Sequence, residues 1–231
     1  MDLSIYLAAT LAELQRMASY QGSLAYMACH FSSSSRGISG LPSWLPSGSM
    51  LMLTDEFPIQ DHDPNRVAKE LLQGAENLSC SHILLDFQRP YNPQVTEVAS
   101  AILKSAAIPV GISQQYAHNF QCPVLVCPSP LWTPLLDHLA PWKGREIWLE
   151  AVMDDGIVTI TQNRSSYEPS SHHSHTPFYS HELCASYAGV MDEESLRFFL
   201  HRGKDELDNL LEEAAKLGVT TAIGLYQQLG I

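Results

Sequence analysis

The chain has 231 residues, of which 45% are hydrophobic, a size and composition that suit one α/β domain with a sizeable core. Thirteen Lys and Arg residues against 25 Asp and Glu residues give a net charge of −12, which argues against nucleic acid and anionic membranes as partners. The N-terminus lacks the basic start of a signal peptide, and no apolar run approaches the ~20 residues that cross a bilayer, so the sequence predicts a cytoplasmic protein with no membrane partner. The number of cysteines, five, is odd, and no two of them form a CxxC motif, which predicts reduced thiols.

Strand and helix patterns alternate along the chain, which predicts a parallel α/β fold. Thr10 is predicted to cap the first helix, and Asp63 and Asn92 are predicted to cap two more, because each of these two precedes a proline. No long helix fits between the fifth and sixth strands. The predicted parallel strands are, in order, 3–8, 24–31, 50–53, 83–87, 108–112, 124–127, 146–152 and 220–226.

The region that follows the seventh strand has a different pattern. Asp154-Asp155-Gly156 is predicted to be a turn, with 157–161 as the hairpin partner of the seventh strand. The Ser- and His-rich segment 163–181 is predicted to be a mobile loop, and 183–188 a further strand. The longest predicted helix is 192–217, because apolar residues recur there at helical spacing, with Gly203 as an interruption.

These elements predict one α/β barrel domain over residues 1–231. The predicted fold is a small or incomplete (β/α)8 TIM-like barrel, because its connections are shorter than usual. A hairpin and loop at 153–190 is predicted as an antiparallel insertion within it.

The most informative stretch of the chain is Ser81 to Pro90, in which an apolar run ends in polar residues. Asp86, Gln88 and Arg89 follow the predicted strand directly. Because catalytic and ligand-binding residues of parallel barrels lie at the carboxyl ends of the strands, these side chains are predicted to lie at the functional face. The alternative for Asp86 and Arg89 is a structural ion pair near the rim.

This stretch resembles the fourth-strand signature of the family-18 glycosidases, the chitinase-like barrels, which reads D-G-x-D-x-D-x-E. On that pattern Asp86 takes the last aspartate and Gln88 takes the catalytic glutamate, while Ser81 and Leu84 stand at the other two aspartates. The C-terminal block, 187–227, is also similar to that family's ending. The resemblance implies a TIM barrel whose carboxyl-end cleft binds a carbohydrate, in particular an N-acetylamino-sugar glycan.

The same resemblance implies that the usual chitinase chemistry is lost. In the family the glutamate protonates the glycosidic oxygen, and the aspartates orient the substrate's own N-acetyl group. The side chain of Gln88 is an amide, which cannot give up a proton at neutral pH, although it still donates and accepts hydrogen bonds. The sequence therefore leaves enzyme activity uncertain and favours sugar binding without cleavage.

Other strand ends carry further candidate residues. Asp55 and Glu56 follow the third strand, and Glu150 lies on the seventh, so Asp86 with Glu150 or Asp55 is the carboxylate pair of an alternative, active glycoside hydrolase. Amides and aromatic rings suit sugar hydroxyls and sugar rings, and the residues of this kind at strand ends are Gln114, Tyr116, Tyr226 and Gln227. The alternative reading of all these residues is solvated acids and ordinary loop ends, in a scaffold with no sugar ligand.

Four histidines, His172, His173, His175 and His181, cluster in the polar segment. Zinc needs three or four ligands held in place, which a Ser-rich loop does not provide, so no metal site is predicted and the role of this cluster stays open. No phosphate-binding glycine loop occurs either, and no cofactor is predicted. The sequence does not indicate an oligomeric state.

Overall fold

The computed structural model describes residues 3–17, 20, 22–161, 164–169 and 178–229. In chain order its strands are β1 (Ser4–Ala9), β2 (Ser23–Phe31), β3 (Ile38–Ser39), β4 (Met50–Thr54), β5 (His82–Asp86), β6 (Val110–Ser113), β7 (Val124–Val126), β8 (Ile147–Ala151), β9 (Asp154–Thr161), β10 (Arg164–Pro169), β11 (Phe178–Ser180), β12 (Ala185–Met191), β13 (Ser195–Arg202) and β14 (Thr221–Leu225). Its α-helices are α1 (Leu11–Arg16), α2 (Pro64–Asn77), α3 (Pro93–Ser105), α4 (Gln114–Ala117), α5 (Leu135–Leu139), α6 (Lys204–Lys216) and α7 (Tyr226–Leu229).

Eight of these strands form a closed parallel barrel. The order around the ring is β1-β14-β8-β7-β6-β5-β4-β2, and β1 pairs with β2 to complete it. The two-residue strand β3 adds to β2 in the antiparallel direction. The predicted TIM-like barrel is therefore confirmed, and its ring of parallel strands is closed.

The helices begin where local capping chemistry predicts. Thr10 forms a capping box with Glu13 at the start of α1, and Asp63 and Asn92 each accept a hydrogen bond from the backbone N–H two residues ahead. The connection between β6 and β7 contains only α4, of four residues, so the predicted lack of a long helix there is confirmed. None of the helices in the described ranges is both long enough and apolar enough to span a bilayer.

The interior of the barrel forms its own apolar cluster, separate from the layer between strands and helices. Trp148 fills this interior with no exposed surface and faces Gly111, where a Cβ atom would lie 2.5 Å from Cε3 of Trp148. The absence of a side chain at position 111 therefore makes room for the indole. The members of the cluster are Tyr6, Ala8, Ala25, Met50, Met52, Leu84, Leu125, Trp148 and Ile223.

A second, antiparallel sheet of five strands follows β8, in the order β10-β9-β13-β12-β11. The predicted antiparallel insertion is therefore confirmed, but its predicted pairing is wrong: 154–156 begins β9 rather than forming a turn, and β9 pairs with β10 and β13 instead of β8. Within the predicted loop 163–181, the described residues form the strands β10 and β11, which the prediction missed, and residues 163 and 170–177 lie outside the described ranges. The described strands of this sheet lie between Asp154 and Arg202.

The long helix predicted at 192–217 is also wrong in its first half. Ser195–Arg202 is the strand β13, and the helix α6 begins only at Lys204, after Gly203. Leu196, Phe199 and Leu200 have helical spacing, but β13 lies between β9 and β12 and pairs with both. Pairing on two edges satisfies the strand's backbone groups, which decides the structure against the local pattern.

Arg202 joins this sheet to the barrel. Its side chain is 1% exposed and donates to three backbone oxygens: Nε to Cys184 at 3.0 Å, Nη2 to Leu183 at 2.8 Å and Nη1 to Pro128 at 3.1 Å. Pro128 follows β7, so one guanidinium connects β13, the start of β12 and the carboxyl end of a barrel strand. The sheet is thereby held against the barrel near the end where chemistry is expected.

Candidate functional site

Asp86 and Gln88 lie together at the open carboxyl end of the barrel. Side chains alternate along β5, so that Leu84 belongs to the barrel interior and Asp86, two residues on, lines a cavity above it. Gln88 is exposed, and its Nε2 donates to Oδ1 of Asp86 at 2.5 Å. The amide at position 88 therefore faces the mouth of the barrel and not a packed interior.

The barrel mouth contains a cavity of about 250 Å³. Its polar lining residues are Asp86, Glu150 and Gln228, and its apolar floor is formed by residues such as Met52 and Leu84. A smaller cavity of about 70 Å³ adjoins it and shares Glu150 and Leu125. The remaining residues that line the smaller cavity are Gln88, Ser113, Gln114, Gln115 and Cys127.

The site disfavours negative charge. Burial raises the pKa of Asp86 to about 6, the neighbouring acids Glu150 and Asp55 raise it as well, and the hydrogen bond from Gln88 opposes them. Burial also raises the pKa of the Cys127 thiol, and Glu150, to which this thiol is hydrogen-bonded, raises it further. Cys127 is consequently a neutral thiol, not a nucleophile, whereas Asp86 exchanges a proton within reach of physiological pH.

Asp55 and Arg89 hold the backbone that presents Gln88. Asp55 is 4% exposed, and its carboxylate accepts from the N–H of Gln88 at 2.8 Å and from the N–H of Arg89 at 3.0 Å. Arg89 in turn donates from Nε to the Asp55 carbonyl at 2.7 Å and from Nη2 to the Glu56 carbonyl at 2.6 Å. Among the described ion pairs, none joins Asp86 to Arg89. These interactions give Asp55 and Arg89 a positioning role.

The other residues predicted from strand ends are not all brought to the cavities. Gln114 lines the smaller one. Tyr116 is fully buried, and its hydroxyl accepts from the N–H of Asn92 at 3.0 Å. Tyr226 packs against the outer core, and Gln227 donates to the carboxylate of Glu13. Of these four predicted ligand-binding residues, one lines a cavity and three make structural contacts. Glu56, which was also predicted, is exposed.

The sequence did not distinguish between the adjacent glutamines that lie near the mouth. Gln228 lines the main cavity in place of Gln227, because α7 begins directly after β14 and turns successive side chains by a helical step. Gln115 donates to the carbonyls of Phe87 and Arg89 and so braces the segment after β5. The pair of glutamines at each position was visible in the sequence, but which member faces inward was not.

Two exposed aromatic side chains also follow neighbouring barrel strands. Phe57, after β4, is 45% exposed and lies against His30, with ring centroids 4.7 Å apart. Tyr91, after β5, is 59% exposed and stacks on Tyr116 at 5.5 Å. Because an aromatic face combines apolar surface with a fixed geometry, these rings are suited to contact a ring-shaped ligand at the rim.

The histidine cluster lies mostly outside the described residues. Of its four members only His181 is described, and its ring lies 4.9 Å from that of Tyr179. The part of the chain that the structure describes contains no group of three or more His, Cys, Asp or Glu side chains that could hold a metal ion.

No protein-family model matches the chain, and no curated protein is detectably similar to it in sequence. Solved structures are similar in fold. The class V chitinase from Nicotiana tobaccum has a TM-score of 0.60 at 10% identity, with 96% of this chain and 93% of that chain covered. The GH18 chitinase from Cycas revoluta, in complex with (GlcNAc)3, has a TM-score of 0.59 at 7% identity, with 98% and 96% covered.

The spore cortex-lytic enzyme SleL from Bacillus megaterium has a TM-score of 0.55 at 10% identity, with 96% of this chain and 70% of that chain covered. The tobacco chitinase is also known as a variant with one glutamate replaced by glutamine, in complex with NAG4. At such low identity the likeness establishes the fold. The protein is a TIM barrel with a separate antiparallel sheet, and its fold is similar to that of chitinases.

Proposed function

We propose that this barrel binds an amino-sugar glycan at its carboxyl-end mouth without cleaving it by the usual chitinase chemistry. The observation that carries the proposal is the hydrogen bond from the exposed amide of Gln88 to Asp86. In the sequence resemblance these two residues take the positions of the catalytic glutamate and the last aspartate. An amide at this position holds hydroxyl and carbonyl groups by hydrogen bonds but supplies no proton to a leaving group.

Three features support a sugar as the ligand. The cavity combines an apolar floor with a few convergent polar groups, as small-molecule sites do. Phe57 and Tyr91 present exposed rings at neighbouring strand ends. Chitinases of this fold carry GlcNAc oligomers, among them a variant in which a glutamate is replaced by glutamine.

Calorimetric titration with a GlcNAc tetramer tests the proposal. We expect saturable binding to the wild-type protein, no release of shorter sugars by mass spectrometry, and at least about tenfold weaker binding after Asp86→Ala, since a charge-assisted hydrogen bond is lost. Glu97→Gln, on the exposed face of α3, is the control and should bind normally. Absence of binding to any amino-sugar oligomer would leave a scaffold as the better account.

One observation favours an active glycoside hydrolase as the second candidate. Asp86 and Glu150 line the same cavity, and the pKa of Asp86, raised to about 6, suits a general acid. Asp55 is a poorer partner, because both oxygens of its buried carboxylate accept backbone hydrogen bonds. Release of a chromophore from aryl glycosides that is lost in both Asp86→Asn and Glu150→Gln would establish this candidate.

Gln88→Glu tests the relation to hydrolases from the other side. If Gln88 stands where a proton donor is required, the restored carboxylic acid should give weak hydrolysis of a GlcNAc oligomer. We expect a low rate, because Ser81 and Leu84 occupy the positions of the two supporting aspartates. The double variant Gln88→Glu with Asp86→Asn should then lose the gained activity.

A further inference from the structure

The charged side chains that line the barrel mouth all have one sign. Asp86 and Glu150 are the charged residues among the described residues that line the two cavities, and neither Lys nor Arg lines either of them. Arg89 is close in sequence, but its Nε and Nη2 are occupied by the carbonyls of Asp55 and Glu56. The described part of the chain therefore supplies no cation to the two carboxylates that face this space.

Both carboxylates keep unused capacity to accept hydrogen bonds. Oδ1 of Asp86 accepts from Gln88, whereas the described residues provide no donor to Oδ2. Glu150 receives a hydrogen bond from the thiol of Cys127, which is a weak donor. A ligand group placed between Asp86 and Glu150 would meet acceptors on two sides.

The floor of the cavity strengthens this preference. The apolar residues Met52, Leu84 and Leu125 lie beneath the carboxylates of Asp86 and Glu150. These side chains therefore offer the carboxylates neither hydrogen bonds nor a positive charge from below. Electrostatic attraction to a cation is stronger next to such apolar walls than in open solvent. A metal ion is a poor fit, because Ca²⁺ takes six to eight oxygen ligands and Zn²⁺ takes about four, and the described residues near this site offer two carboxylates.

We propose that the sugar unit held in this mouth carries a free, protonated amino group, as in a glucosamine-type (de-N-acetylated) glycan, and that Asp86 and Glu150 bind its ammonium. The inference rests on the proposed function and names its ligand class. An ammonium provides a positive charge and three N–H donors, whereas an acetamido nitrogen is neutral and provides one. The ammonium would also replace the mutual repulsion of Asp86 and Glu150 with attraction.

Calorimetric titration of the intact protein with two matched probes tests this assignment. The probes are a glucosamine tetramer and an N-acetylglucosamine tetramer, each at low salt and at about 0.5 M salt, where exposed charges are largely screened. We expect the glucosamine tetramer to bind at least about tenfold more tightly at low salt and to lose most of that advantage at high salt. Its affinity should fall as the pH drops below the pKa of Asp86, about 6.

Variants separate the site from the net charge of −12. Glu150→Gln should remove most of the preference for the glucosamine tetramer, because the ammonium then meets one carboxylate in place of two. Glu97→Gln makes the same change in charge on the exposed face of α3 and should leave the preference unchanged. An equal loss in both variants would assign the effect to the overall field and overturn the proposed site.

The outcomes distinguish this inference from the function on which it rests. Binding of the N-acetylated tetramer with equal or higher affinity would overturn the free-amine assignment and leave glycan binding intact. Failure of both tetramers to bind would overturn both. A preference for the glucosamine tetramer that is insensitive to salt and to Glu150→Gln would also contradict the assignment, because the amine would then be held elsewhere.

Discussion

Asp86 has a cost for folding stability that its proposed role in binding would explain. Its carboxylate is held close to Glu150 and Asp55, and burial together with these charges raises its pKa to about 6. A raised pKa in the folded state means that folding is favoured while the group is protonated and is penalised as the pH rises through 6. The penalty is absent below the unfolded pKa of about 4 and is complete near neutral pH.

Asp86→Asn is therefore expected to stabilise the protein at pH 8. The amide keeps the shape and a hydrogen-bonding partner for Gln88 but carries no charge, so the free energy of unfolding should rise by about 1–3 kcal/mol at pH 8 and stay unchanged near pH 4. Urea denaturation at both pH values measures the difference, with Glu97→Gln as the control. An equal change at both pH values would rule out ionisation of Asp86 as the cause.

Asp55 shapes the site without lining it. Both carboxylate oxygens accept hydrogen bonds from backbone N–H groups. In Asp55→Asn one of these oxygens is replaced by an NH2 group, which cannot accept, so one backbone N–H loses its partner. We expect a loss of about 1–3 kcal/mol in the free energy of unfolding and weaker glycan binding, because Gln88 is no longer held in place. Glu56→Gln, next to it and exposed, should stay within about 0.5 kcal/mol of wild type. Comparable losses in both variants would contradict this role.

The sequence located the site in outline but not in detail. The rule that polar residues collect at the carboxyl ends of parallel strands led to Asp86, Gln88 and Glu150, which line the two adjoining cavities. It could not separate Asp55 from them, because a positioning carboxylate and a ligand-binding carboxylate look the same in one dimension. The burial of Tyr116 likewise accompanies its contacts with Phe87, Tyr91 and Asn92 in the segment after β5, which strand ends do not encode.

At the scale of elements, β13 depends on Arg202 for its attachment to the barrel. Arg202→Met preserves length and apolar volume but leaves three buried carbonyl groups without donors, which should lower the free energy of unfolding by about 3 kcal/mol. Hydrogen exchange should accelerate first at the amides of β9, β12 and β13. Arg197→Met, which removes an exposed arginine 3.6 Å from Asp192, is the control and should have little effect. Equal protection of these amides from exchange in both variants would show that the sheet does not need the hydrogen bonds of Arg202.

The elements that the sequence identified best are those with strong local signals. Thr10, Asp63 and Asn92 begin helices because their side chains satisfy backbone N–H groups within two or three residues. By contrast, 195–202 was predicted as helix because Leu196, Phe199 and Leu200 suit that spacing. The pairing of β13 with β9 and β12 decided its structure, and those partners lie at other points of the chain.

At the scale of the whole molecule, the packing of the barrel interior depends on the absence of a side chain at Gly111, which leaves room for Trp148. Gly111→Ala would place a methyl group 2.5 Å from Cε3 of Trp148, so the indole or β6 must shift, at a cost of about 1–3 kcal/mol. Thermal unfolding should show a lower midpoint, and Trp148→Phe in the same chain should recover part of the loss. Gly189→Ala in β12, where a Cβ would lie 3.4 Å from Phe198, is the control. A midpoint unchanged by Gly111→Ala would show that the interior has spare room.

The pairing of β1 with both β2 and β14 has a consequence for synthesis. During synthesis β2 emerges from the ribosome soon after β1, whereas β14, which pairs with the other edge of β1, emerges some two hundred residues later. Until β14 emerges, the ring stays open at β1 and at β8, and two rows of backbone groups remain available to other nascent chains. The wall of the cavity at the barrel mouth is therefore completed only after β14 has been synthesised, because Ile223 and Gln228 form part of that wall.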